Sequence, residues 1–232
     1  MKTHSCRWSS ACALVVALSL VASCASNELA RDVAATKGEY SGFLSDYSKL
    51  ENVTDSHGNQ TLRWISPNLN GKSYKKILVN EPGYYPTPKA TAQVPLQVLG
   101  DIQTYGRKAL MDRLAKANLL ASEPGPGVAR VNIALTGVTS EEQGLKSWEL
   151  IPVALIKAGV EGVAGTRARD VHMFVESEVV DSVSDKVLAQ SVRNATGVPL
   201  KGEHDKLTLE HIKPKIDQWT ETVVAELVRQ LD

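Results

Sequence analysis

Cysteine is scarce, and its placement leaves it little to do. The chain of 232 residues has three, Cys6, Cys12 and Cys24, with none beyond residue 24. The rest of the sequence therefore has no thiol for a disulfide, for a metal or for nucleophilic catalysis. An excess of charge is missing too: 26 Lys and Arg stand against 26 Asp and Glu. With no basic block, the chain lacks the electrostatic footprint of a nucleic-acid binder. The apolar run that opens at Ala11 is about 13 residues long, short of the ~20 that cross a bilayer. The G-x-S-x-G elbow, the P-loop and the G-x-G-x-x-G fingerprint are absent, which removes the usual sequence signs of a serine hydrolase or a nucleotide site. No internal repeat and no low-complexity tract is present.

What is there begins at the N-terminus. Lys2 and Arg7, with no acidic residue, precede the apolar run, and small residues follow it. This is the layout of a secretory signal peptide. The segment Val21-Ala22-Ser23-Cys24 resembles the lipobox of bacterial lipoproteins. That resemblance implies removal of residues 1–23 and acylation of Cys24, which becomes the new N-terminus and the membrane anchor. Ala25 and Ser26 follow the cysteine, where an Asp would retain a lipoprotein in the inner membrane. The expectation is therefore an outer-membrane lipoprotein facing the periplasm. Without its first 23 residues the 232-residue chain loses two basic residues of its 26, giving a net charge near −2.

Residues 24–36 are small and polar and read as a tether. Residues 37–72 read as an N-terminal arm. In it Phe43, Leu44, Tyr47 and Leu50 are spaced as one stripe of a short helix, followed by the polar loop T-D-S-H-G-N-Q. Residues 73–232 form the regular part. Residues 74–80 read as a strand and 94–119 as a long helix, with Val98, Ile102, Leu110 and Leu114 on one face. Residues 129–136 alternate, with Val131, Ile133 and Leu135 inward. Residues 170–181 alternate again, Val171, Met173, Val175 and Val179 opposing His172, Glu176 and Glu178. Val183–Lys186 forms a turn into a strand from Val187 to Asn194. From Leu209 to Leu231 apolar residues recur at helical steps, and Pro214 should mark a kink or the true helix start. The fold class is α/β: a single two-layer sandwich with a mixed sheet, in the order strand-helix-strand, insert, strand hairpin, helix. The strand-helix-strand unit sets its strands parallel, the hairpin adds antiparallel strands, and both helices lie on one face with solvent on the other.

Several segments, in this order, resemble one family. They are the lipobox, S-G-F-L-S-D-Y-S-K-L (41–50), Y-K-K-I-L-V (74–79), T-G-V-T-S (136–140), G-L-K-S-W-E-L-I-P-V-A-L-I (144–156), G-T-R-A-R-D (165–170) and I-K-P-K-I-D-Q-W (212–219). Together they are similar to the bacterial lipoproteins grouped as domain of unknown function 3313. The resemblance implies an envelope lipoprotein of α/β type and brings no catalytic residues.

The residues themselves offer few sites. The insert 149–166 is unusually apolar, and Gly159, Gly162 and Gly165 share a face if it is helical, which suits close backbone contact. It is the candidate surface for an envelope or cell-wall partner, beside the alternative that it packs on its own core. Glu176 and Glu178 lie ~6.5–7 Å apart along one strand face, a spacing known from glycoside hydrolysis. On a one-sided sheet the same pair is expected simply to face water. His204 and His211 are ~10 Å apart if helical, too far to share a metal. Tyr84, Tyr85, Trp64 and Trp148 are candidates for an aromatic platform or for core plugs. No catalytic, cofactor or metal residue emerges, and Cys24 is the one assigned site, for lipid. The leading expectation is a membrane-anchored, non-enzymatic binding or assembly module. A glycan- or peptide-acting enzyme of the cell wall and a structural subunit of an envelope complex are the alternatives.

Overall fold

The computed structural model describes residues 30–32, 34–35, 40–67, 69, 73–142, 168–202 and 204–231. The strands are β1 (Glu51–Thr54), β2 (Gln60–Ile65), β3 (Lys76–Val79), β4 (Gly83–Tyr84), β5 (Val128–Glu142), β6 (Arg169–Asp181) and β7 (Val187–Thr196). The helices are α1 (Leu96–Lys116) and α2 (Leu209–Leu231). The strands form one mixed sheet in the order β1-β2-β7-β6-β5-β3, with β4 also paired to β5. The α/β class and the mixed sheet agree with the sequence pattern. The unit β3-α1-β5 returns a parallel strand, and β5, β6 and β7 continue antiparallel.

Local chemistry sets the turns. Between β6 and β7, Asp181 Oδ1 accepts hydrogen bonds from the backbone N–H of Val183 and Ser184 and from the Ser184 hydroxyl. Asp185 then takes φ 59°, where a short polar side chain is tolerated. Between β1 and β2, Asp55 Oδ1 accepts from the N–H groups of His57 and Asn59, and Gly58 supplies φ 76°. Asn118, at φ 55°, closes α1. At the start of α2, His211 Nδ1 accepts from the Thr208 N–H, as a capping-box side chain does. The helix begins at Leu209, so Pro214 lies inside it and does not mark its start.

Both helices cover one face of the sheet. Val98, Ile102, Ile212, Ile216 and Trp219 pack on Leu135, Val138, Val171 and Met173 in one cluster. Leu110, Leu114 and Val224 pack on Ile77, Val79 and Ala129 in a second. Thr136 is the extra residue of a bulge between Leu135 and Gly137, which lets both Leu135 and Val138 face the helices.

Two expectations need correction. The opposite face is open to solvent only in part, because residues 40–50 lie on it and bury Leu44 and Val192. Nor is that arm helical; Gly42 takes φ 88°, and the segment folds into turns. The hydroxyl of Tyr47 organises it, accepting from the N–H groups of Gly42 and Leu44 at 2.9 and 3.1 Å.

Candidate functional site

Glu176, expected in water, is fully buried. Its Oε1 accepts from the Ser41 N–H at 2.8 Å and its Oε2 from the Tyr47 hydroxyl at 2.5 Å. Burial, reinforced by this carboxylate, raises the Tyr47 pKa above its ordinary value. Glu178 instead accepts from the Gln190 amide. The two carboxylates share a face but are committed to separate structural contacts, the first of them fastening the arm. Among the described residues no three His, Cys, Asp or Glu side chains are grouped to hold a metal. Tyr84 is half-buried and burial pushes its pKa up to about 12, while Tyr85 is exposed. Trp64 lies beneath the ammonium of Lys49 at 5.1 Å. These aromatics form no common platform. Cys24, the insert 149–166 and Trp148 lie outside the described residues.

A cavity of about 230 Å³ lies between the sheet and α2. Its floor is Val131 and Ile133 of β5 with Val175 and Val179 of β6; its roof is Trp219, Val223 and Leu227 of α2. Each floor residue belongs to the core-facing pattern of its strand, yet each stays partly accessible. The gap falls between the two core clusters, where α2 does not close down on the sheet. Ser177 and Ser191 bridge the floor by a hydroxyl contact of 2.8 Å. At the rim, Arg63 pairs with Glu226 at 2.7 Å. Arg193, on the floor strand β7, places its guanidinium 5.6 Å from the centre of the Trp219 ring.

One wall of this cleft is fixed by a buried polar cluster that the sequence did not reveal. Asp32, in the stretch read as a tether, is 2% exposed and pairs at 2.9 Å with Lys215, which is 1% exposed. The Asp32 carboxylate also accepts from Trp219 Nε1 at 2.8 Å and from the Thr196 N–H at 3.1 Å. Lys215 donates further to the side-chain oxygens of Asn59 and Gln218. A charge left alone at such burial would be prohibitive, so each partner requires the other. Nearby, burial lowers the Arg193 pKa while Asp55, Asp32 and Glu226 oppose that shift. Arginine stays charged regardless. The available signal in the sequence was Lys215 itself, a charge set within the apolar stripe Ile212-Ile216-Trp219.

Comparison with known proteins adds the following. The family described as "Protein of unknown function (DUF3313)" matches residues 39–223. The Uncharacterized lipoprotein YdcL of Escherichia coli (strain K12) is 35% identical over 179 residues, covering 77% of this chain and 81% of that protein. Among solved structures, protein XCC0632 from Xanthomonas campestris aligns with a TM-score of 0.39 at 10% identity, over 72% of this chain and 90% of that one. A PelC dodecamer from Paraburkholderia phytofirmans aligns with a TM-score of 0.33 at 12% identity, over 74% of this chain and 95% of that one.

Proposed function

The chain belongs to the DUF3313 family, and from that premise we propose that it is a bacterial envelope lipoprotein whose body is a non-enzymatic binding module for an apolar ligand. The observation that carries the reading is the cavity of about 230 Å³ between the sheet and α2. A dry cavity of ~150 Å³ lined by aliphatic side chains already admits benzene. Partly accessible aliphatics that could have packed against each other, yet line a cleft, suit an aliphatic chain as occupant. The cleft is poor in groups for chemistry. Glu226 is held by Arg63, and the buried Glu176 serves the arm on the opposite face. These features favour binding over hydrolysis of cell-wall material.

The lipoprotein relative supports anchoring, and the signal supports acylated Cys24 as the anchor. Residence in the outer membrane, facing the periplasm, rests on Ala25 and Ser26 after the cysteine. The apolar insert 149–166 is the proposed contact for an envelope partner. Cys24→Ser should release the protein from the membrane fraction; a variant that is still processed and sediments with membranes contradicts the anchor.

The cleft is tested with N-phenyl-1-naphthylamine, a neutral apolar fluorophore, bound to the mature chain carrying Cys24→Ser. Saturable binding with energy transfer from tryptophan is expected, since Trp219 forms part of the roof. Val179→Phe, which fills the floor, should weaken binding at least tenfold. Absence of saturable binding, or equal affinity in the filled variant, refutes the reading.

A further inference from the structure

An aliphatic cleft by itself would select only for apolar surface. Arg193 adds a second element. Its guanidinium lies over the indole of Trp219, at the wall of the cleft, and among the described residues no carboxylate approaches it within ion-pair distance. By contrast Arg63 and Lys215 are each paired, with Glu226 and Asp32. The three nearby carboxylates act on Arg193 only at longer range. A cation that is partly desolvated, stacked on an aromatic and left with free donors is arranged to accept an anion.

The position of the cleft points the same way. Trp219 is bonded to Asp32, so one wall is fastened to a residue only eight positions from Cys24. Eight extended residues reach at most ~29 Å. A chain anchored through Cys24 thus keeps the cleft close to the bilayer, where amphiphiles are concentrated.

Resting on the binding reading above, we propose that the ligand is a single-chain anionic amphiphile. Its aliphatic chain lies between Val131, Val175 and Val179 and the α2 roof, and its carboxylate or phosphate head is held by Arg193. The charge distinguishes this ligand from a neutral one of the same length, and that difference supplies the test.

Dodecanoate and dodecanol are compared as competitors of N-phenyl-1-naphthylamine on the mature chain carrying Cys24→Ser, at neutral pH and low salt. Dodecanoate should displace the fluorophore at a concentration at least tenfold lower than dodecanol. The preference should shrink as salt is raised. Arg193→Met, which keeps cover over Trp219 but removes the charge, should equalise the two competitors and leave dodecanol unchanged. Arg193→Lys should retain part of the preference and serves if the Met variant fails to fold. Equal displacement by both compounds in the unsubstituted cleft overturns the anionic ligand while leaving the cleft reading intact. Failure of the fluorophore to bind at all removes the cleft reading itself.

Discussion

Replacing Asp32 by Asn removes the negative charge at the centre of the buried cluster. The Thr196 N–H and Lys215 meet one carboxylate oxygen and Trp219 Nε1 meets the other, so the single amide oxygen keeps the Thr196 bond while the new NH2 faces the Trp219 donor. Lost together with the Trp219 bond is the counter-charge of Lys215, an ammonium 1% exposed and 2.9 Å from the carboxylate. The remaining partners of Lys215 are neutral amide oxygens at 3.2 and 3.3 Å. Breaking a buried pair from one side costs ~3–5 kcal/mol, because the surviving charge is stranded. Against a total of ~5–15 kcal/mol this is a large share. At ~2–4 °C per kcal/mol for a domain of this size, Tm should fall by ~6–20 °C. Urea unfolding followed by tryptophan fluorescence and circular dichroism, at unchanged m, would measure it. Adding Lys215→Met removes the stranded charge and should recover part of the loss, the rest being the unmade Trp219 bond. An Asp32→Asn variant within ~1 kcal/mol of the parent, or a double variant no better than the single, would refute the reasoning.

Three further outcomes follow from the geometry. Tyr47→Phe deprives Glu176 of its 2.5 Å donor and two backbone N–H groups of their acceptor; it should cost ~1.5–3 kcal/mol in thermal unfolding, and unchanged stability would mean that the arm is not fastened there. In Gly197→Ala the added methyl would sit 2.6 Å from the His211 carbonyl oxygen and 2.7 Å from Ile212 Cδ1. It should destabilise by ~1–3 kcal/mol, measured by denaturation, and a neutral effect would show that α2 can withdraw from β7 freely. Hydrogen bonds from the Ser184 N–H and hydroxyl, then from Tyr74, lower the Asp181 pKa from 3.8 to about 2. Its contribution to stability is therefore complete above pH 3.8 and is lost as pH falls from 3.8 towards 2; a carboxylate-carbon NMR titration with a midpoint near the ordinary value would contradict this.

The parts of the fold visible in the sequence are those with a periodic apolar face. The alternation at Val171, Met173, Val175 and Val179, and the helical stripe through Ile212, Ile216 and Trp219, encode their own burial. The strands β1 and β2 leave no such pattern, because E-N-V-T and Q-T-L-R-W-I carry little one-sided alternation and flank a polar loop. In the arm, the spacing of Phe43, Leu44, Tyr47 and Leu50 predicts a helix that does not form. The arm's backbone instead bonds to the Tyr47 hydroxyl and to Glu176, 135 positions from Ser41, and no local pattern reports so distant a partner. The same holds for the burial of Glu176. The cleft was invisible for a different reason: Val131 and Val175 read as core whether or not the space above them is filled. Asp32 was hidden by its neighbours, since a small, polar stretch has the composition of a tether.

The Asp32 cluster also determines how the domain meets mechanical load. A protein held by one lipidated residue receives force at that residue whenever the layers of the envelope move apart. If the tether led straight into β1, an edge strand bonded only to β2, pulling would unzip the sheet one hydrogen bond at a time. With the anchor proposed at Cys24, the load instead enters at Asp32, which is bonded at once to Lys215 and Trp219 of α2 and to Thr196 at the end of β7. The helix and the inner strand then take the strain together. The edge of the sheet is shielded, and the domain should yield in a single step at higher force rather than fray from its anchored end.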